Sequence, residues 1–154
     1  MIRTEEKIYV VTELCFGDLS NRSDKKLPKE EAWAYLQQAI KGYRYLYEKR
    51  IVHRDLKPGN LFFNMKKEIK IGDFGFAGKL HDVKKQNYYN IGSPGYMAPE
   101  TVSRNEYSFA TDIWAIGIIY YELLTGKLPW TGTTEEKINK QMTEAYLRCA
   151  LIHP

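Results

Sequence analysis

Apolar and polar positions alternate along this chain in blocks whose period changes from one segment to the next. The run KIYVVTEL, residues 7–14, is short, β-branched and apolar and predicts a strand, while CFGDLSNRSDKK behind it carries the Gly, Asp, Ser and Asn of a connector. Pro28 then stands where a first helical position falls, with Glu30 and Glu31 in the first turn. Ala32, Leu36, Ile40, Tyr43 and Tyr47 follow at helical spacing, which predicts an amphipathic helix of about five turns. NLFFN and EIKIG on either side of MKK predict a β-hairpin. Residues 76–96 have no period and read as a long loop. ATDIWAIGIIYYELLTG is apolar nearly all round, which predicts a buried core helix capped by Ser108 or Thr111 and ended by Gly126. The polar helix TEEKINKQMTEAYLRCAL closes the sequence, and no internal repeat is present.

Composition narrows the class. A chain of 154 residues with 44% hydrophobic and 14% aromatic content can bury one core and is not disordered. No apolar run reaches the roughly 18 residues of a membrane span. The 23 basic and 19 acidic residues are spread along the whole length, so there is no basic stripe for nucleic acid. Cys15 and Cys149 form no CxxC, and His53, His81 and His153 lie far apart, so neither a disulfide framework nor a zinc site is indicated. A reducing, cytoplasmic compartment is expected. MIRTEEKIYV has charges where a secretory apolar stretch would be.

The densest chemistry lies in IVHRDLKPGN, residues 51–60, between the first helix and the hairpin. Alone, such a stretch could be a solvated charged loop. Thirteen residues past Asn60, however, the second hairpin strand runs into Asp73, Phe74 and Gly75, and GSPGYMAPE, ending at Glu100, and a helix bearing Asp112 follow. These are the catalytic-loop, DFG and APE elements of the protein-kinase signature, in order and on the predicted elements. The chain therefore resembles the eukaryotic protein kinases from Ile8 to about Asn139, and Lys57, two residues after Asp55, resembles the serine/threonine branch. DFGFA and GSPGYMAPE look somewhat like the autophagy-initiating group.

The resemblance implies a mainly α chain, the C-terminal lobe of the α+β protein-kinase fold, with one residual N-terminal-lobe strand and a short hairpin. Residues 1–17 would be the last small-lobe strand and hinge, 18–140 the large lobe, and 141–154 an atypical or truncated end. It implies ATP-dependent phosphorylation of a protein serine or threonine. Such transfer needs an in-line nucleophile and neutralised phosphate charge more than covalent help. By resemblance, Asp55 orients the acceptor hydroxyl, Lys57 sets a positive charge on the transferring group, and Asn60 and Asp73 hold Mg²⁺ through oxygen. Glu13 and Cys15 offer hinge backbone groups to the adenine of ATP, Thr12 is the small gatekeeper, Asp18 reaches the ribose, and Phe62 forms the floor. His53 is expected to pack under Phe74, and Asp112 to tie its helix to the catalytic-loop backbone.

The family's Gly-rich loop and strand lysine are not found: no GxGxxG occurs, and AIK at residues 39–41 falls in a helix after the hinge instead of a strand before it. Two further readings follow, a non-catalytic module whose apolar face docks on a partner in place of the small lobe, and a segment of a longer kinase. Arg54 is of the type that pairs with a phosphorylated loop residue, yet no serine or threonine lies between Phe74 and Gly92. Tyr88, Tyr89 and the carboxylate of Asp82 are the alternatives, while Ser93 is expected to contact Asp55 and Lys57. Without Gly-rich-loop and lysine contacts, these 154 residues alone should bind Mg²⁺–ATP no tighter than roughly millimolar, about 4 kcal/mol. Calorimetry giving low-micromolar affinity would contradict this.

Overall fold

The fold is described from a computed structural model over residues 2–4, 6–83, 91–132 and 135–152. Its elements are β1 (Ile2–Arg3), β2 (Ile8–Tyr9), β3 (Cys15–Asp18), α1 (Ser20–Ser23), α2 (Lys29–Glu48), β4 (Ile51–Val52), β5 (Leu61–Asn64), β6 (Ile69–Ile71), β7 (Gly78–Lys79), α3 (Leu80–Val83), α4 (Pro99–Arg104), α5 (Phe109–Thr125) and α6 (Glu135–Ile152). Tight 3₁₀ turns cover Pro58–Asn60 and Pro94–Tyr96. Helix dominates, and the strands form three small antiparallel groups: β1 with β2, β3 with β5 and β6, and β4 with β7. No helix among the described residues is long and apolar enough to cross a membrane. Tyr88, Tyr89 and His153 lie outside the described residues.

The long helix forms where its period predicts, with Pro28 just outside it as the cap residue. Its buried face is Ala32, Leu36, Ala39, Tyr43 and Leu46, a stripe with steps of three and four. The expected Ile40 and Tyr47 are exposed instead. Both faces of this helix carry apolar side chains, and contact with α5 on one side and β6 on the other selects Ala39 and Leu46. Gln38 Oε1 accepts the Ile69 N–H at 2.8 Å, and the Tyr43 hydroxyl donates to the Phe109 carbonyl at 3.2 Å.

α5 starts with a full capping box: Ser108 Oγ accepts from Ala110 N–H (3.2 Å) and Thr111 Oγ1 accepts from Ser108 N–H (3.2 Å). It ends at Gly126, whose φ of 73° lets the chain turn against the Lys26 backbone. The helix is not buried all round. Ala115, Ile116, Ile119 and Leu123 are in the core, whereas Ile113 and Tyr121 face out.

The strand assignments need correction at two places. The run at residues 7–14 yields only β2, and the ladder along the hairpin is made by Cys15–Asp18, inside the segment read as connector. β propensity needs a paired neighbour, and β5 runs beside residues 15–18, so the pairing falls there. The segment from 76 to 96 is also more structured than its lack of period implies: Gly78–Lys79 pairs with Ile51–Val52 just before the charged loop. The hairpin itself is as expected, with Leu61 opposite Ile71 and Phe63 opposite Ile69. A residue-140 boundary falls within α6.

Replacing Ser108 with Ala should remove one side of the capping box and lower stability by about 1 kcal/mol. The shift of the urea midpoint at unchanged slope is the measurement.

Candidate active site

The charged loop between β4 and the Pro58–Asn60 turn is held from beneath by one carboxylate. Asp112, almost fully buried in the first turn of α5, accepts the His53 N–H through Oδ2 at 2.7 Å and the Arg54 N–H through Oδ1 at 2.9 Å. Burial raises its pKa, and the two backbone donors pull the other way. Arg54 has a φ of 71°, a strained value for a side-chain-bearing residue. The pair of hydrogen bonds holds that conformation. His53 is buried and joins two segments: Nδ1 accepts from Asp55 N–H (3.4 Å), which assigns the ring proton to Nε2, and Nε2 donates to the Gly72 carbonyl (3.0 Å). Its ring lies 5.1 Å from that of Phe74.

Three polar side chains meet Asp55: Lys57 and Asn60 from the same loop and Ser93 from the turn after Gly92. The Ser93 hydroxyl donates to Asp55 Oδ1 at 2.8 Å and accepts from the Lys57 ammonium at 2.9 Å. Lys57 Nζ is also 3.1 Å from Asp55 Oδ2. The Asn60 amide donates to the Asp55 carbonyl at 2.8 Å and to Oδ2 at 3.1 Å. Asp55 is buried, so these donors replace the water its charge would otherwise need. Gly92 completes the packing. With φ 118°, it lies so close to the Arg54 carbonyl that a Cβ would come within 2.6 Å of that oxygen.

Asp73 follows the β6 strand, and the Gly72 N–H donates to the Asn60 carbonyl at 3.0 Å, which joins the two segments directly. Asp73 has φ 56° and accepts from Gly75 N–H through Oδ1 at 3.3 Å. Its Oδ2 and Asn60 Oδ1 accept no hydrogen bond among the described residues. Neutral amide and carboxylate oxygens of this kind fit a hard cation such as Mg²⁺. No group of three or more His, Cys, Asp or Glu side chains suited to a metal occurs among the described residues.

The residues expected at the nucleotide are spread along one edge. Thr12 and Glu13 are exposed on the approach to β3, and Cys15 opens that strand opposite Asn64. Asp18 faces Phe62 across the ladder, and its Oδ1 accepts from the Ser20 N–H (2.9 Å) and the Ser20 hydroxyl, which commits it locally to the start of α1. The Phe62 ring abuts Gly72, where a Cβ would meet it at 2.7 Å. Val10 is exposed, not part of the core.

Several features were not foreseen from the sequence. Asn64, buried, donates to Glu13. The Tyr96 hydroxyl donates to Glu122 at 2.6 Å, and burial raises both pKa values. Trp130 Nε1–H donates to the Gly95 carbonyl at 2.9 Å, so the turn after Ser93 is held by α5 and by the loop behind it. Each of these bonds joins groups far apart in the chain, so no local pattern signalled them. Arg54 Nε donates to the Phe76 carbonyl, and its guanidinium lies 5.5 Å from the Tyr107 ring, while Asp82 contacts His81 at 3.4 Å. Glu100 makes no ion pair among the described residues.

The sequence profile of the protein kinase domain family matches residues 1–153. Serine/threonine-protein kinase PLK1 of Xenopus laevis is 46% identical over 127 residues, covering 80% of this chain and 21% of that protein. Serine/threonine-protein kinase polo of Drosophila melanogaster is 40% identical over 140 residues, 88% of this chain and 24% of its own length. Inactive serine/threonine-protein kinase PLK5 of Mus musculus is 37% identical over 144 residues, 92% and 24%. The chain thus spans about a fifth to a quarter of these relatives. Their names give no support to the likeness to the autophagy-initiating group.

Changing Asp112 to Ala would leave a buried and a part-buried N–H group without an acceptor and should cost about 2–4 kcal/mol. Urea unfolding monitored by tryptophan fluorescence checks the value.

Proposed function

The chain belongs to the protein kinase family, and from that premise we propose that it forms part of an ATP-dependent protein serine/threonine kinase. In this reading residues 1–17 are the last small-lobe strand and hinge, 18–140 the large lobe, and 141–154 an atypical end. The observation that carries it is the cluster of Asp55, Lys57, Asn60 and Ser93, joined to Asp73 through the Gly72–Asn60 backbone hydrogen bond.

Asp55 holds the Ser93 hydroxyl at 2.8 Å, and the same carboxylate would orient the serine or threonine hydroxyl of a protein substrate and take its proton. Lys57, 3.1 Å away, would hold its charge beside the transferring phosphoryl group. Asn60 Oδ1 and the Asp73 carboxylate would hold Mg²⁺, which when bound neutralises phosphate charge. Thr12, Glu13, Cys15, Asp18 and Phe62 would border the nucleotide, with Phe62 set by Gly72 beside the metal-binding segment. We place the protein in the cytoplasm, in keeping with its few cysteines.

One observation favours a second reading, a kinase-like module that binds without catalysing. Ile8, Tyr9, Val10, Val11, Leu14 and Phe16 are all exposed, a run of apolar surface suited to a partner in the small-lobe position. The likeness to a relative named as inactive agrees with it.

The two readings separate in the complete polypeptide that contains this chain. Asp73→Ala should abolish transfer together with metal-dependent nucleotide binding, and Asp55→Asn should abolish transfer with nucleotide affinity nearly intact. Calorimetry beside a peptide phosphorylation assay measures both. Equal loss of nucleotide binding would show the roles to be misassigned, and a parent protein that binds protein but never transfers phosphate would establish the second reading.

A further inference from the structure

Residues 10–14 form no strand, and most of their side chains are exposed, yet this segment leads directly into the edge proposed for the nucleotide. Its tie to the rest of the fold is a side chain. Glu13 Oε1 accepts from Asn64 Nδ2 at 2.7 Å, and the second hydrogen of that amide goes to Glu68 Oε2 at 3.0 Å. Asn64 Oδ1 in turn accepts the N–H groups of Lys66 (3.0 Å) and Glu68 (2.9 Å), which build the β5–β6 turn. All four hydrogen-bonding positions of this buried amide are therefore filled.

Lys70 closes the arrangement. Its ammonium lies 3.2 Å from Glu68 Oε2 and 3.8 Å from Glu13 Oε2, so it offsets the repulsion between two carboxylates that share one amide. The hydrogen bond from Asn64, followed by that from Lys70, lowers the pKa of Glu68, and the hydrogen bond to Glu68 raises that of Lys70. The Lys70 pairs are exposed and screened by solvent, whereas the Asn64 amide is buried and donates to a charged acceptor. Asn64 is the principal member. The hairpin that carries it is anchored to α2 by the Ile69 N–H on Gln38, so the tie runs to the core.

We propose that Asn64, assisted by Glu68 and Lys70, is a positioning residue that latches the hinge segment Thr12–Cys15 onto the β5–β6 hairpin through the Glu13 side chain, and so sets the backbone edge that receives the nucleotide base. The last step rests on the kinase reading; the latch itself does not. The amide divides its work by atom. Oδ1 serves the turn and Nδ2 serves the hinge, so Asn64→Asp keeps the acceptor that builds the turn and turns the donor into a third carboxylate oxygen facing Glu13 and Glu68. Combining it with Glu13→Gln restores a donor and an acceptor in exchanged positions at unchanged net charge, a double-mutant cycle across one hydrogen bond.

Hydrogen exchange followed by mass spectrometry on the 154-residue chain reads the latch without nucleotide. Asn64→Asp should speed exchange in the peptide covering β3, Cys15–Asp18, which pairs with β5, by about tenfold, with α2 unchanged, and the Asn64→Asp/Glu13→Gln pair should return it to within about threefold of the parent. Glu13→Ala, on an exposed residue that does not endanger folding, should reproduce the single-variant effect. Unchanged exchange at Cys15–Asp18 in Glu13→Ala overturns the latch. In the complete kinase, Asn64→Asp should raise KM for ATP about tenfold with kcat within twofold, and the exchanged pair should recover it. Altered exchange with unchanged KM would confine the latch to a structural role and overturn its part in nucleotide positioning. A parent protein that neither binds ATP nor transfers phosphate would overturn the kinase reading and the nucleotide step with it, with the exchange result still deciding the latch.

Discussion

The buried carboxylate of Asp112 is the constraint on which the site depends. A loop that must present Asp55, Lys57 and Asn60 together cannot be regular structure, and two of its N–H groups lose their ladder partners, the buried one at His53 and the part-buried one at Arg54. Left unpaired they would be costly, and Arg54 would not stay at a positive φ. One carboxylate on the first turn of α5 satisfies both. The capping box at Ser108 and Thr111 fixes where that turn begins, so a local signal four residues before Asp112 governs a loop more than fifty residues earlier in the chain.

The cluster above this anchor has a division of labour. His53 has no side-chain bond to the acidic group at the centre; it accepts the Asp55 N–H and donates to the Gly72 carbonyl, so its ring sets the distance between the loop and the segment carrying Asp73. Asn60 repeats the link from the other side, through its own carbonyl to Gly72 N–H. Asp55, in the loop after β4, and Asp73, just past β6, are thus held on two segments tied by polar bonds. Gly92 admits the Ser93 turn to the same region because no side chain can stand between it and the Arg54 carbonyl.

The hinge side is built on another principle. There the backbone pairing is short, β3 carries a register irregularity between Cys15 and Gly17, and apolar residues from Ile8 to Phe16 face outward. Polar side chains supply the order that packing does not, with the Asn64 amide as their centre. Charged pairs at the surface contribute little by themselves, so the buried amide gives the arrangement its direction.

Much of this was legible in the sequence wherever the information was local. The period of α2, the Ser108 and Gly126 ends of α5, and the hairpin around MKK follow from spacing and cap chemistry. The order of HRDLKPGN, DFG and APE marks Asp55, Asn60 and Asp73 in the sequence alone, and the structure brings their segments together. Pairing and facing were decided only by the tertiary structure. An apolar run at residues 7–14 reads as well as a strand as Cys15–Asp18 does, until β5 lies beside only one of them. Ala39 and Leu46 win over Ile40 and Tyr47 because α5 and β6 arrive on their side of α2. The Glu13–Asn64 bond spans fifty-one positions, and the Gly92 approach to Arg54 spans thirty-eight. Local propensity says which conformation a segment favours, but a hydrogen bond or a buried face needs a partner, and only the folded chain determines which distant group arrives there.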